Sequence, residues 1–204
     1  MVTEEELGAL FPLLSTMGVQ NALMAKILLS TAVRIGELVE ARWENVDFEK
    51  RVWVIPPTAI KGKKVKARNG EDLKSFVIPL TDPVLMWFSE LKELAFGSSY
   101  VLPIRSRKKA VGDAHMEPAT LNAAFNKFWK EHLKSHCQRF TPHDLRSTAR
   151  SHLGRLGIDL LIAERCLNHS LGGLVAIYDQ HDYLDERRNA LKKWSCMITA
   201  LESG

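Results

Sequence analysis

Cysteine is scarce in this chain. Cys137, Cys166 and Cys196 are odd in number and far apart, which argues against a disulfide framework and fits a reducing compartment. No Cys-x-x-Cys pair accompanies them, so no structural zinc site is expected and no metal ligand is assigned. No apolar run approaches membrane-spanning length, and no secretory signal opens the sequence. Glycine-rich phosphate loops, internal repeats, low-complexity tracts and obvious interdomain linkers are missing too. These absences point away from a membrane partner and a nucleotide cofactor, and towards a cytoplasmic globular chain.

The bulk numbers fit that class. The 204 residues are 46% hydrophobic and 25% charged, enough for one fair-sized domain. A net charge of +4 and a pI near 9.0 are mild as totals, but the charge is unevenly spread. Lys61, Lys63, Lys64, Lys66, Arg68 and Lys74 face only Glu71 and Asp72 within one stretch, which by itself equals the net charge of the chain. Arg105, Arg107, Lys108 and Lys109 form a second basic loop. Two concentrated patches predict a polyanion partner and salt-sensitive binding.

Helical and strand periods alternate along the chain. Thr3 and Glu6 form a capping box, predicting a helix that turns Leu7, Leu10, Phe11 and Leu14 inward. A second helix is expected over about Gly18–Ser30. Residues 46–80 change period: Val46–Phe48, Val52–Ile55 and Phe76–Leu80 read as three antiparallel strands, the last two joined by a long basic hairpin. Pro56 and Pro79 belong at strand ends or edges. Helices resume over about Pro83–Phe96, Pro118–His132, Asp159–Leu167 and Leu171–Tyr178. A long terminal helix then shows Leu184, Leu191, Trp194, Ile198 and Leu201 as its apolar stripe. That stripe suits packing on its own domain or on a neighbouring copy. The predicted fold is α+β, mainly helical, with a small three-stranded antiparallel sheet.

The most informative stretch is Thr141-Pro142-His143-Asp144-Leu145-Arg146. Pro142 ends a loop, and Leu145, Ala149, Leu153 and Leu156 follow at helical spacing. His143 and Arg146 therefore share a face at the positive end of a helix. Imidazole moves protons near neutral pH, and guanidinium can hold two phosphate oxygens at once. Upstream, Arg34 sits among Ile35, Leu38 and Val39, where it needs a partner or a bound anion; Glu37 is the candidate partner.

Four stretches in order carry a family resemblance. They are Thr31–Leu38, Trp43–Phe48, Thr141–Arg146, and Cys166-Leu167-Asn168-His169 with Tyr178 nine residues beyond. Over nearly its whole length the chain resembles the catalytic domain of tyrosine recombinases, most closely the integrases of phages and genomic islands. Asn168 stands where the family commonly has Gly, and asparagine tolerates left-handed backbone well.

The resemblance implies a single catalytic domain over residues 1–204, with the family's N-terminal core-binding and arm-binding domains absent. It implies a bacterial or phage-encoded protein that exchanges strands of double-stranded DNA at attachment sites, as a homo-tetramer, with no cofactor and no small-molecule substrate. Arg34, Arg146 and His169 would hold the scissile phosphate, and Tyr178 would attack it. His143 would take the tyrosine proton, and Lys61 would protonate the leaving oxygen. Tyr183 competes with Tyr178, and the nine-residue offset from His169 favours Tyr178. Lys61 competes with Lys63, Lys64 and Lys74; it is preferred because it closes the strand-like Thr58-Ala59-Ile60 segment. Two other readings give a different outcome: a catalytically silent DNA-binding module of the same fold, and a type IB topoisomerase, which shares the chemistry but relaxes supercoils without exchanging partners.

Overall fold

The computed structural model describes residues 2–70, 73–104, 112–135, 137–169 and 181–203. Helix α1 (Glu4–Leu10) starts at the expected capping box, with Thr3 and Glu6 each bonding the other's backbone N–H. A 3-10 segment (Phe11–Met17) leads into α2 (Val19–Thr31). Ten of the thirteen α2 residues are buried, because this helix lies between α5 (Asp82–Leu94), α7 (Pro142–Arg155) and the terminal helix α9 (Leu184–Ser203). It ends at Ala32 in left-handed conformation (φ 53°), whose N–H closes on the Leu28 carbonyl. The chain reverses there and enters short helix α3 (Ile35–Val39) at Arg34.

Strands β1 (Val46–Asp47), β2 (Val52–Ile55) and β3 (Phe76–Pro79) form an antiparallel sheet in that order. Trp53 pairs with Ile78 and Ile55 with Phe76, and all four side chains are buried. Period-two alternation puts them on one face, where the Trp53 ring meets Phe88 edge-on at 5.8 Å. Pro56 follows β2 and Pro79 closes β3, as their missing N–H donors require.

The basic connection between β2 and β3 departs from the expected long hairpin. It contains a short helix, α4 (Lys64–Arg68), flanked by Gly62 and Gly70 at positive φ. The Thr58-Ala59-Ile60 segment is not a strand. Ala59, Ile60 and Lys63 donate backbone bonds three residues back, forming successive turns.

The remaining helices are α6 (Pro118–Phe128), which continues into a π-helical turn (Trp129–Leu133), and α8 (Leu160–Cys166), capped by Asp159. The predicted Leu171–Tyr178 helix and the second basic loop with Arg105, Arg107, Lys108 and Lys109 lie outside the described residues. Helix α9 packs on its own domain. Its Trp194 indole N–H donates to the Leu29 carbonyl at 2.8 Å, and its ring stacks on His152 at 5.2 Å. Arg187, 1% exposed, ties α9 to the sheet by donating to the Val77 carbonyl at 2.7 Å and to Asp182 at 2.6 Å. Among the described residues no helix is long and apolar enough to cross a membrane.

Candidate active site

Three chain segments bring their polar groups together. The first is the start of α3. Glu37, 2% exposed, accepts from the Arg34 backbone N–H at 2.9 Å and from the Arg34 guanidinium at 3.0 Å. A buried carboxylate is costly alone, and this pairing offsets the cost. Arg34 keeps part of its guanidinium in solvent.

The second segment is the head of α7. Thr141 caps it, and the Asp144 carboxylate returns to the Thr141 N–H at 2.7 Å. Burial opposes the charge of Asp144, but its bonds with Thr141 outweigh that and hold the carboxyl below its ordinary value. His143 on the first turn is exposed, whereas Arg146 one turn on is buried. Arg146 donates to the Ala32 carbonyl and to the Leu167 carbonyl. These bonds join the α2 end to the α8 end through one guanidinium. Burial, with the nearby Arg34 charge, lowers the Arg146 pKa to about 10, so it remains charged at neutral pH.

The third segment is the end of α8. Asn168 adopts φ 52°, and the chain turns there so that His169 folds back on its own helix. The His169 Nδ1 lies 2.6 Å from Glu164, and its Nε2 lies 3.0 Å from an Arg146 guanidinium nitrogen. Glu164 also accepts from Arg150 Nε at 2.6 Å.

Two clefts open over these groups. One, of about 500 Å³, is lined by Arg34, Glu37, Lys61, His143 and Arg146. The other, of about 710 Å³, is lined by Arg34, Lys61, Lys63, Glu164 and His169. Arg34 and Lys61 are common to both and form their shared wall. Among the described residues, a groove of about 750 Å³ beside Val19, Phe96 and Asp113 gathers none of the predicted ones.

The structure thus brings together Arg34, Lys61, His143, Arg146 and His169. Tyr178 lies outside the described residues. Lys63 donates to the Lys74 carbonyl at 3.1 Å, Lys66 is exposed on α4, and Lys64 and Arg68 are the first and last residues of that helix. Tyr183, at φ 52°, sets its ring against His181 at 4.6 Å. Sequence reasoning missed Glu164 and Arg150. Their only signal is an acid and a base on helices flanking the two predicted site residues, Arg146 and His169.

A family model described as the phage integrase family matches residues 1–184. Prophage integrase IntA of Escherichia coli (strain K12) is 27% identical over 177 residues, covering 86% of this chain and 38% of that protein. The integrase of Enterobacteria phage P4 is 30% identical over 183 residues, covering 87% of this chain and 40% of that protein. The chain therefore spans about two fifths of the length of these relatives. In fold it is similar to the XerA recombinase, with a TM-score of 0.63 at 17% identity, covering 95% of this chain and 63% of that one. It is also similar to the Tn1549 transposon integrase, solved in complex with a circular intermediate DNA. There the TM-score is 0.59 at 19% identity, covering 85% of this chain and 58% of that one.

Proposed function

Because this chain belongs to the phage integrase family, we propose that it is the catalytic domain of a site-specific DNA recombinase. In this reading it acts on double-stranded attachment sites in prophage or genomic-island integration and excision. The observation that carries the proposal is the convergence of Arg34, Arg146 and His169 with Lys61 and His143 on adjoining clefts. Phosphodiesters repel nucleophiles, and phosphoryl transfer develops charge on the equatorial oxygens. Fixed cations and hydrogen-bond donors are therefore the main catalytic resource.

In the proposed mechanism Arg34 and Arg146 bind the two non-bridging oxygens of the scissile phosphate, and His169 donates a further bond to it. The Tyr178 phenolic oxygen attacks phosphorus while His143 takes its proton. Lys61 gives a proton to the departing 5′-oxygen, leaving a 3′-phosphotyrosyl bond and a free 5′-hydroxyl. The 5′-hydroxyl of the partner strand then attacks the same phosphorus and releases Tyr178, so bond energy is conserved. The side chains supply the positive charge, and the transfer is proposed to be metal-independent. Residues 1–204 form one catalytic domain, working in the cytoplasm within a homo-tetramer on DNA.

A nicked suicide duplex, in which cleavage cannot reverse, tests this. It carries the attachment core of the element and is mixed with wild type, Tyr178→Phe and Tyr183→Phe. A covalent adduct lost only in Tyr178→Phe supports the proposal. Loss only in Tyr183→Phe moves the nucleophile. DNA binding without an adduct in any version overturns the enzyme in favour of a silent binding module. Relaxation of supercoils without partner exchange favours topoisomerase chemistry.

A further inference from the structure

His169 is held at both ring nitrogens. Nδ1 meets the Glu164 carboxylate at 2.6 Å, and Nε2 meets the Arg146 guanidinium at 3.0 Å. Arg146 has only donors, so Nε2 must accept from it and Nδ1 must carry the ring proton. In the DNA-free geometry two of the proposed phosphate ligands therefore satisfy each other. To donate to a phosphate, His169 must gain a second proton at Nε2, and Arg146 must hand its N–H to a phosphate oxygen.

From this arrangement we infer that Glu164 is a positioning residue for strand cleavage. It fixes the His169 ring with Nε2 towards the phosphate and balances the imidazolium charge once the phosphate is bound. The inference rests on the recombinase reading above. Glu164 suits the role because it is itself held: Arg150 Nε binds its other oxygen at 2.6 Å. Burial opposes its charge, but the bonds with Arg150 and His169 keep its carboxyl below the ordinary value. Its own backbone carbonyl accepts the His169 N–H at 3.1 Å, so one residue anchors both ends of the histidine.

The charges facing His169 come from several elements. Glu164 and Arg165 are on α8, Arg146 and Arg150 on α7, Arg34 at the start of α3, and Lys61 and Lys63 before α4. Apart from Glu164 all are cationic. Among these described residues Glu164 is the one acid that touches His169, Glu37 being engaged by Arg34, so it is the group placed to balance an imidazolium charge there.

The test joins ring-nitrogen NMR of histidine-labelled, DNA-free chain to the pH profile of suicide-duplex cleavage. Wild type should show the His169 proton on Nδ1. Glu164→Gln keeps an acceptor for that proton and loses the charge. Its ring signature should persist, while the alkaline end of its cleavage profile moves to lower pH, leaving about tenfold less cleavage there. Glu164→Ala should lose the signature as well and cleave roughly 10- to 100-fold more slowly, with DNA affinity little changed. If Glu164→Ala fails to fold, Glu164→Gln alone decides. Cleavage by wild type and Glu164→Gln with superimposable profiles overturns the inference and leaves the recombinase reading intact. A Glu164-dependent ring signature without any wild-type adduct keeps the coupling as structure, but overturns its catalytic role together with the recombinase reading.

Discussion

Glu37 closes on Arg34 through both carboxylate oxygens, one taking the backbone N–H and the other the guanidinium. The pair fixes the direction in which Arg34 enters the cleft. Glu37→Ala should therefore do two things. It leaves the half-buried Arg34 N–H without its acceptor, at no more than about 1–3 kcal/mol, and it frees the guanidinium. Thermal unfolding should report the first, and single-turnover cleavage a rate loss larger than the stability loss predicts. Glu37→Gln, which keeps an acceptor, should recover most of the stability.

Lys61 is exposed and lines both clefts. Lys61→Ala should shift stability by no more than about 0.5 kcal/mol, yet reduce cleavage about 10²- to 10⁴-fold if it is the general acid. A substrate with sulfur in place of the bridging 5′-oxygen has a leaving group that needs no proton. It should restore the Lys61→Ala rate and leave Arg146→Ala unrescued. Rescue of Lys63→Ala or Lys74→Ala instead would reassign the acid.

Much of this fold is legible in the sequence because local signals agree with the final packing. Thr3 with Glu6 marks the first helix start, and Val52–Ile55 and residues 76–78 alternate as half-buried strands should. The Asn168 left-handed turn follows from the residue's tolerance of that region. The segment before α4 misleads because Thr58 and Ile60 are β-branched, while the backbone bonds that close the turns there run to the carbonyls of Pro56, Pro57 and Ile60. Glu164 was invisible for a geometric reason. A five-residue spacing does not bring side chains together on a regular helix. Only the chain reversal at Asn168 brings His169 back onto it.

His152 is buried against Trp194, and its Nε2 lies 3.4 Å from the Val2 carbonyl. Burial lowers its pKa below the ordinary 6.5. A base with a depressed folded-state pKa binds its proton more readily when unfolded. Its contribution to stability is complete above about pH 6.5 and is lost as pH falls through the folded value. The melting temperature of wild type should therefore drop between neutral and mildly acid pH more steeply than that of His152→Phe, which keeps the stacked ring but cannot titrate.

The Trp194 indole fills the core between α2 and α9 and donates its N–H to Leu29. Trp194→Phe keeps most of the apolar volume and should cost about 1–3 kcal/mol, chiefly from the orphaned Leu29 carbonyl. Trp194→Ala should cost about 3–5 kcal/mol. Denaturant titration separates them. Equal losses would mean that packing alone holds α9 in place.

Lys63 and Lys66 both belong to the basic stretch expected to meet a polyanion, here proposed to be DNA, yet their surroundings differ. Lys66 is exposed on α4, whereas Lys63 donates to the Lys74 carbonyl and helps close the β2–β3 connection. Each lysine that neutralises one phosphate contributes about 0.9 to the slope of log affinity against log salt. Lys66→Ala should reduce that slope by about this amount. Lys63→Ala should lower the melting temperature as well, because it releases the carbonyl contact. A Lys66→Ala slope equal to wild type would remove this residue from the interface and leave the charge of α4 as a solvated surface.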